Sequence, residues 1–287
     1  MQLDPVAIDA GVRLVALATV RSTNEEAAEQ ARRGESGPLW ITAQSQTAGR
    51  GRLGRSWYSP PGNLYASLLL RDPSPFERAP ELTFVAALAL RDAIVAAAPS
   101  LAPQLHFKWP NDLLLAGDKC AGILIEGEVG RNNSMTVVIG IGVNCAHHPA
   151  VAPTLPPDVE PAPAQERPLG ERTMLYRATD LRAHAANITP QQLFARLSAT
   201  MCWRLAEWAR GQGFAKILDA WLAAAHGLGE DIRIRQGDSE KTGLFVGLDR
   251  AGRLILQQPG GAIEEISAGD VFPLARRSVY KMQSRQG

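Results

Sequence analysis

The sequence predicts an α/β protein, in the α+β sense of a mixed sheet flanked by helices, that ends in a small all-β unit. Three observations carry this expectation. Helix-spaced and strand-like apolar runs alternate as far as about residue 228. Beyond that point the period switches to two, in "DIRIRQ", "KTGLFVGL", "RLILQQ", "AIEEIS" and "DVFPLA". Glycine turns separate these short strands, as in a small β-barrel or sandwich. Neither an internal repeat nor a heptad run points to a solenoid or a coiled coil. The expected division is 1–228 and 229–287.

Along the chain, the apolar run "VRLVALATV" precedes "STNEEAAEQARR", where Ser22 and Glu25 have the spacing of a capping box. The helix they open is expected to end near Gly34. "PLWITAQSQ" and "NLYASLLL" read as strands on either side of a glycine–arginine loop. "PELTFVAALALRDAIVAAA" has helical apolar spacing and predicts a largely buried helix. "LHFKWP" is a short strand stopped by Pro110. "KCAGILIEGEV" and "SMTVVIGIGVNC" pair across the hairpin turn "GRNN". The proline-rich stretch after His147 and His148 can be neither helix nor central strand, and so long a loop is typically functional or disordered. Order resumes at Thr189, an N-cap followed by Pro190 and by Gln192 to complete a box. Two amphipathic helices follow, near 190–210 and 213–226, with Trp203, Trp208 and Trp221 as expected core anchors.

Composition narrows the function classes. With 45% hydrophobic and 21% charged residues the chain is of ordinary globular type. Its net charge of +1 supplies no global field for nucleic acid or membrane, so a basic site must be local. Three cysteines, far apart and without C-x-x-C spacing, argue against disulfides or zinc and for a reducing compartment. The N-terminus lacks a secretory pattern and no apolar run reaches membrane-spanning length, so the expectation is a soluble cytoplasmic protein. The five histidines form no recognisable metal-ligand set.

Residues 49–54, "GRGRLG", match the G-x-G-x-x-G pattern of dinucleotide-binding turns. That pattern must lead into a helix whose N-terminus holds a pyrophosphate. Here "RSWYSPPGN" follows, and its prolines and glycine forbid a useful helix. A DNA clamp is also disfavoured, because one arginine cluster on a near-neutral chain is a small footprint and no helix-turn-helix precedes it. A plain solvent loop would leave Trp57, Tyr58 and Tyr65 in an unfavourable setting. Glycines that permit close approach, with forked guanidiniums, suit closure over a small phosphorylated or adenylated molecule.

Five stretches together resemble the biotin–protein ligases. They are "STN" at 22–24, "QTAGRGRLGRSWYSPPGNLYASLLL" at 46–70, "KWPNDLLL" at 108–115, "KCAGILIE" at 119–126 and "IGIGVN" at 139–144. They stand in the family's order and spacing, and the resemblance is weakest over 146–190. Lipoate ligases share the fold but lack this loop followed by K-W-P-N-D. The resemblance implies a mixed-sheet catalytic domain with a C-terminal SH3-like barrel. It implies activation of biotin by ATP, with Mg2+, to biotinyl-5′-AMP, then transfer to a lysine of the biotin carboxyl carrier protein of acetyl-CoA carboxylase or another biotin-dependent carboxylase. With only about twenty residues ahead of Ser22, the form expected is an enzyme without a DNA-binding domain, monomeric or homodimeric, with neither DNA nor membrane as partner.

By the same resemblance Lys119 contacts the biotin carboxylate and the reacting phosphate, where a flexible point charge can follow shifting negative charge. Arg50 and Arg52 bind phosphate and close over the intermediate, and Gly49 and Gly51 let the backbone approach. Leu53 stands where the family often has arginine, which removes one positive charge. Ser22, Thr23, Asn24 and Gln46 offer the donors and acceptors that a ureido ring needs, although Ser22 also explains itself as an N-cap. Gly122 leaves room for the ring. Asp112 lies near the reacting carboxylate, to orient the incoming lysine or a metal-bound water. Asn144 faces adenine, and Trp57 borders the adenylate. No protein metal ligands are assigned.

Overall fold

A computed structural model of the chain describes residues 1–129, 134–149, 177–237 and 239–273. The proline-rich stretch and the "GRNN" turn lie outside the described residues. A short helix α1 (Pro5–Asp9) precedes β1 (Arg13–Val20), α2 (Thr23–Arg32), β2 (Leu39–Gln46) and β3 (Leu64–Arg71). Helix α3 (Glu81–Ala97) leads to β4 (Leu105–Lys108), β5 (Asp112–Leu115), β6 (Asp118–Val129) and β7 (Met135–Val143). These strands form one seven-stranded sheet in the order β1-β2-β3-β7-β6-β5-β4. Only β1 and β2 run parallel, joined through α2, and every other pair is antiparallel. The mixed sheet read from the sequence is therefore present.

Helices α4 (Pro190–Trp208) and α5 (Phe214–Leu222) pack with α3 against one face of the sheet. Eleven residues of α3 are buried, so the helix is enclosed nearly all round. Phe84, Phe107, Phe214 and Trp221 meet there edge-on or stacked, with centroids 5.4 to 5.8 Å apart, and each such ring contributes about 1.5–3 kcal/mol by leaving water. On the opposite face α2 covers only a small apolar patch, where Ala27 and Ala31 meet Leu39, Ile41, Leu69 and Val138. The rest of that face is left for the site.

Two expectations about the helices are corrected. Ser22 occupies the N-cap position of α2 but its side chain caps nothing. The Thr23 N–H instead donates to Gln46 Oε1 at 2.8 Å, and Glu25 turns to Arg21. A neighbouring strand thus does the work that the local box was expected to do. Trp203, expected in the core, is 59% exposed on α4, whereas Trp208 and Trp221 are buried. By contrast the Thr189 box forms with both of its hydrogen bonds.

The C-terminal strands β8 (Asp231–Gln236), β9 (Ser239–Leu248), β10 (Leu254–Gln257), β11 (Ile263–Ile266) and β12 (Asp270–Pro273) fall where the period-two pattern placed them. They form an antiparallel sheet in the order β11-β10-β9-β8-β12. Among the described residues this sheet is open, not the closed barrel expected. Its edge strands have four residues each, and 267–269 carry the chain from one edge to the other instead of turning a hairpin. The sheet is docked firmly: the Trp109 indole N–H donates to the Gly252 carbonyl at 3.0 Å. A Cβ at Gly252 would come 2.6 Å from the Phe84 ring.

Replacing Thr189 by Ala removes the α4 cap and should lower stability by about 1 kcal/mol, read as a shifted midpoint in urea unfolding.

Candidate active site

The site is made by what the sheet lacks. On the face beside α2, register places Tyr65, Gly142, Gly122 and Asp112 in one row across β3, β7, β6 and β5. The next row holds Ser67, Gly140 and Leu124. A Cβ at Gly140 would lie 2.2 Å from Asn24 Oδ1, and one at Gly142 would lie 2.6 Å from Trp57 Nε1. These glycines let an amide and an indole lie directly on the sheet. Above this floor opens a cavity of about 750 Å³.

Its rim and walls bring together nearly all the expected residues. Ser22, Thr23, Asn24 and Gln46 stand at one end, with Arg50, Gly51, Arg52 and Trp57 along the loop. Asp112, Lys119, Gly122 and Asn144 also line it. Gly49 does not: a Cβ there would meet Ser59 Oγ at 2.5 Å and the Trp57 carbonyl at 2.7 Å, so its role is to let two backbone segments close up.

At the α2 end a polar chain fixes each group. Gln46 Oε1 accepts from both the Thr23 N–H and its hydroxyl, and Gln46 Nε2 donates to Ser59 Oγ. The fully buried Ser67 hydroxyl lies 2.8 Å from Thr23 Oγ1 and 2.6 Å from Asn24 Oδ1. Asn24 then donates to Glu126 at 2.7 Å. Donors and acceptors of fixed orientation sit here at the start of a helix.

At the other end the Asp112 carboxylate lies between two ammonium groups, 2.5 Å from Lys119 Nζ and 3.0 Å from Lys108 Nζ. Burial pushes this carboxyl up, but Lys119 and then Lys108 outweigh it and hold it at about 2. Burial keeps Lys108 below the usual lysine range, with Asp112 opposing. Lys119 is partly open to the cavity and sits 5.3 Å from the centroid of the Trp57 ring.

Three arginines of the loop are each tied to a different element. Arg50 bonds to Glu126 on β6 at 3.0 Å, Arg52 donates to Asn111 Oδ1 at 3.0 Å, and Arg55 pairs with Asp270 on β12. The third tie makes the C-terminal sheet part of the site, together with Phe272 in the wall. Leu53, at the tip, is 78% exposed with φ 56°, a left-handed conformation that costs leucine about 1 kcal/mol.

Asn144 is buried and donates to the Thr179 carbonyl at 3.0 Å. Sequence reasoning missed several supports: Ser67, Glu126 and Asp270, and Asn63, whose one amide oxygen accepts the N–H groups of Cys145, Ala146 and His147. It also missed Asp180, which pairs with His148 at 2.6 Å. Only "NLY" and "ILIE" carried any hint, as polar residues inside apolar strands.

A glycine-floored cavity on a helix-flanked mixed sheet, walled by an arginine loop and a lysine pair, is a site suited to an anionic ligand. Residues 16–144 match the biotin/lipoate A/B protein ligase family and residues 227–272 the biotin protein ligase C terminal domain. A biotin–[acetyl-CoA-carboxylase] ligase of Paracoccus denitrificans is 42% identical over 89% of this chain and 98% of its own. A bifunctional ligase/repressor of Bacillus spizizenii is 31% identical over 91% of this chain and 74% of its own. Among solved structures, the biotin protein ligase of Aquifex aeolicus in complex with biotin and ATP aligns with a TM-score of 0.68 and 26% identity. It covers 91% of this chain and 97% of that one. The chain belongs to the biotin protein ligase family.

The Asp112 carboxyl has a lowered pKa, so its stabilising contribution is present above the unfolded value near 3.8 and is lost as pH falls through about 2. The stability gap between wild type and Asp112→Asn should narrow by about 2 kcal/mol between about pH 5 and about pH 2, measured by denaturant unfolding across that range.

Proposed function

We propose that the chain activates biotin with ATP, forming biotinyl-5′-AMP and pyrophosphate, and transfers biotin to a lysine of a biotin carboxyl carrier protein. The observation that carries this reading is the pairing of Lys119 with buried Asp112 in the wall of a glycine-floored cavity that Arg50 and Arg52 also line.

In the first step a biotin carboxylate oxygen attacks the α-phosphorus and the bond to the pyrophosphate oxygen breaks. Both reactants are anions, so the principal demand is for positive charge held in place. Lys119 supplies a mobile point charge, and Asp112 aims it. Arg50 and Arg52 supply planar forks suited to phosphate oxygens. The Thr23–Gln46–Asn24 group binds the ureido ring at the far end, and Gly122 leaves room for the bicycle. Trp57 and the loop exclude water from an anhydride that water would hydrolyse.

In the second step the carrier lysine attacks the acyl carbon and AMP leaves. A carboxyl held near 2 is a weak base, so Asp112 orients the incoming amine electrostatically and does not take its proton. Asn144 addresses the adenine. Among the described residues no group of three His, Cys, Asp or Glu could hold a metal ion. In this reading magnesium enters with the triphosphate, as part of the substrate.

The reading includes a cytoplasmic protein, monomeric or homodimeric, with a carrier domain as partner and neither DNA nor membrane. A net charge of +1 supplies no global field for nucleic acid or membrane, and no described helix is long and apolar enough to cross a membrane. Residues 1–228 serve as the catalytic unit and 229–287 as the smaller one.

ATP–pyrophosphate exchange should depend on biotin, and labelled biotin should pass to a carrier-protein lysine. Exchange driven by lipoate and not by biotin would overturn the proposal. Lys119→Ala should lower exchange at least ~100-fold while the chain stays folded, with its unfolding midpoint lowered because buried Asp112 loses the nearer of its two ammonium partners. Full exchange in that variant would remove Lys119 from the chemistry.

A further inference from the structure

Glu126 is not part of the cavity wall, yet it touches both halves of the site. One of its oxygens accepts from Asn24 Nδ2 at 2.7 Å. Both lie within hydrogen-bond distance of Arg50 Nη2, at 3.0 and 3.1 Å. The other end of the Asn24 amide is held by the buried Ser67 hydroxyl at 2.6 Å, so the amide has one orientation. Asn24 can reach Glu126 only across Gly140, where a side chain would collide with it. Arg50 has a second acidic neighbour, Glu25 on α2, at 3.9 Å. The guanidinium expected to meet a phosphate thus rests between two carboxylates.

From this arrangement we infer that Glu126 is a positioning residue: it orients Asn24 for the biotin ring and parks Arg50 until nucleotide phosphate displaces it. The inference rests on the ligase reading given above.

The magnitudes suit a reversible hold. The Arg50 and Glu126 side chains are 39% and 40% exposed, so their ion pair is screened by water and weak. A phosphate group carries more charge than one carboxylate and accepts a guanidinium fork through two oxygens. It can therefore take Arg50 from Glu126, whereas neutral biotin-ring contacts at Asn24 leave the ion pair in place. Breaking the Glu126–Arg50 pair is then part of the cost of binding ATP. Asn24, by contrast, keeps its bond to Glu126 throughout.

Two substitutions separate these roles. Glu126→Gln keeps a side-chain acceptor for the Asn24 amide and removes the charge that holds Arg50, whereas Glu126→Ala removes both. In biotin-dependent ATP–pyrophosphate exchange, Glu126→Gln should lower the KM for ATP by about threefold, more than any change in kcat, and leave the KM for biotin within about twofold. Glu126→Ala should lower the KM for ATP likewise and raise the KM for biotin by about tenfold. Without ligands, both variants should be cleaved by trypsin within 49–58 faster than wild type. A purely structural residue would raise both KM values together. A KM for ATP that rises or is unchanged in Glu126→Gln, or cleavage at the wild-type rate, would overturn the proposal. If biotin drives no exchange in the wild type, the ligase reading fails on its own, while the cleavage rates still decide whether Glu126 holds Arg50.

Discussion

The site depends on a sheet face kept free of side chains. Alternation in a strand delivers a side chain to each face every second residue, so a flat binding floor requires glycine at successive alternate positions. Gly140 and Gly142 provide this on β7, and Gly122 provides it on the neighbouring strand. Everything else is arranged about that cleared strip: α2 stops short of it, the arginine loop crosses it, and the paired lysines stand at its edge. At Gly140 and Gly142 a neighbour already rests where a Cβ would be, and at Gly122 the Trp57 ring comes within 3.2 Å of that point. The floor is therefore specified by contact as well as by space.

Charge in the site follows a similar economy of placement. Asp112 is buried, and its two lysines settle it as a permanent anion. That anion fixes Lys119 in direction without neutralising the cavity, since two ammoniums and three guanidiniums face two carboxylates there. The arginines are less tightly set. Each is held by a partner on a different element, and Asp270 among them lies in the C-terminal sheet. The smaller sheet therefore contributes to the electrostatics of the loop as well as to packing under Trp109 and Phe84.

Much of this was legible in the sequence. The strands and helices followed apolar period, and the glycine–arginine loop was separated from a dinucleotide turn by "SPPG" alone. Most of the residues named for the site line one cavity. What could not be read were partners distant in sequence. Glu126 and Ser67 look like ordinary interruptions of apolar strands until register sets them beside α2. Trp203 fitted a helical stripe, but α4 turns it to solvent because Trp208 and Phe194 already fill the buried side. The closed barrel failed for a related reason, since period two predicts strands and says nothing of which edges join.

The cap of α2 has one more consequence. Its first amide is satisfied by Gln46, which lies 23 residues further along the chain. A helix start secured from a distant strand gains little from its own sequence, and short helices are marginal alone. The binding end of α2 would therefore take its final form only after β2 has docked. The binding end of the helix is thus held in place by the sheet it serves.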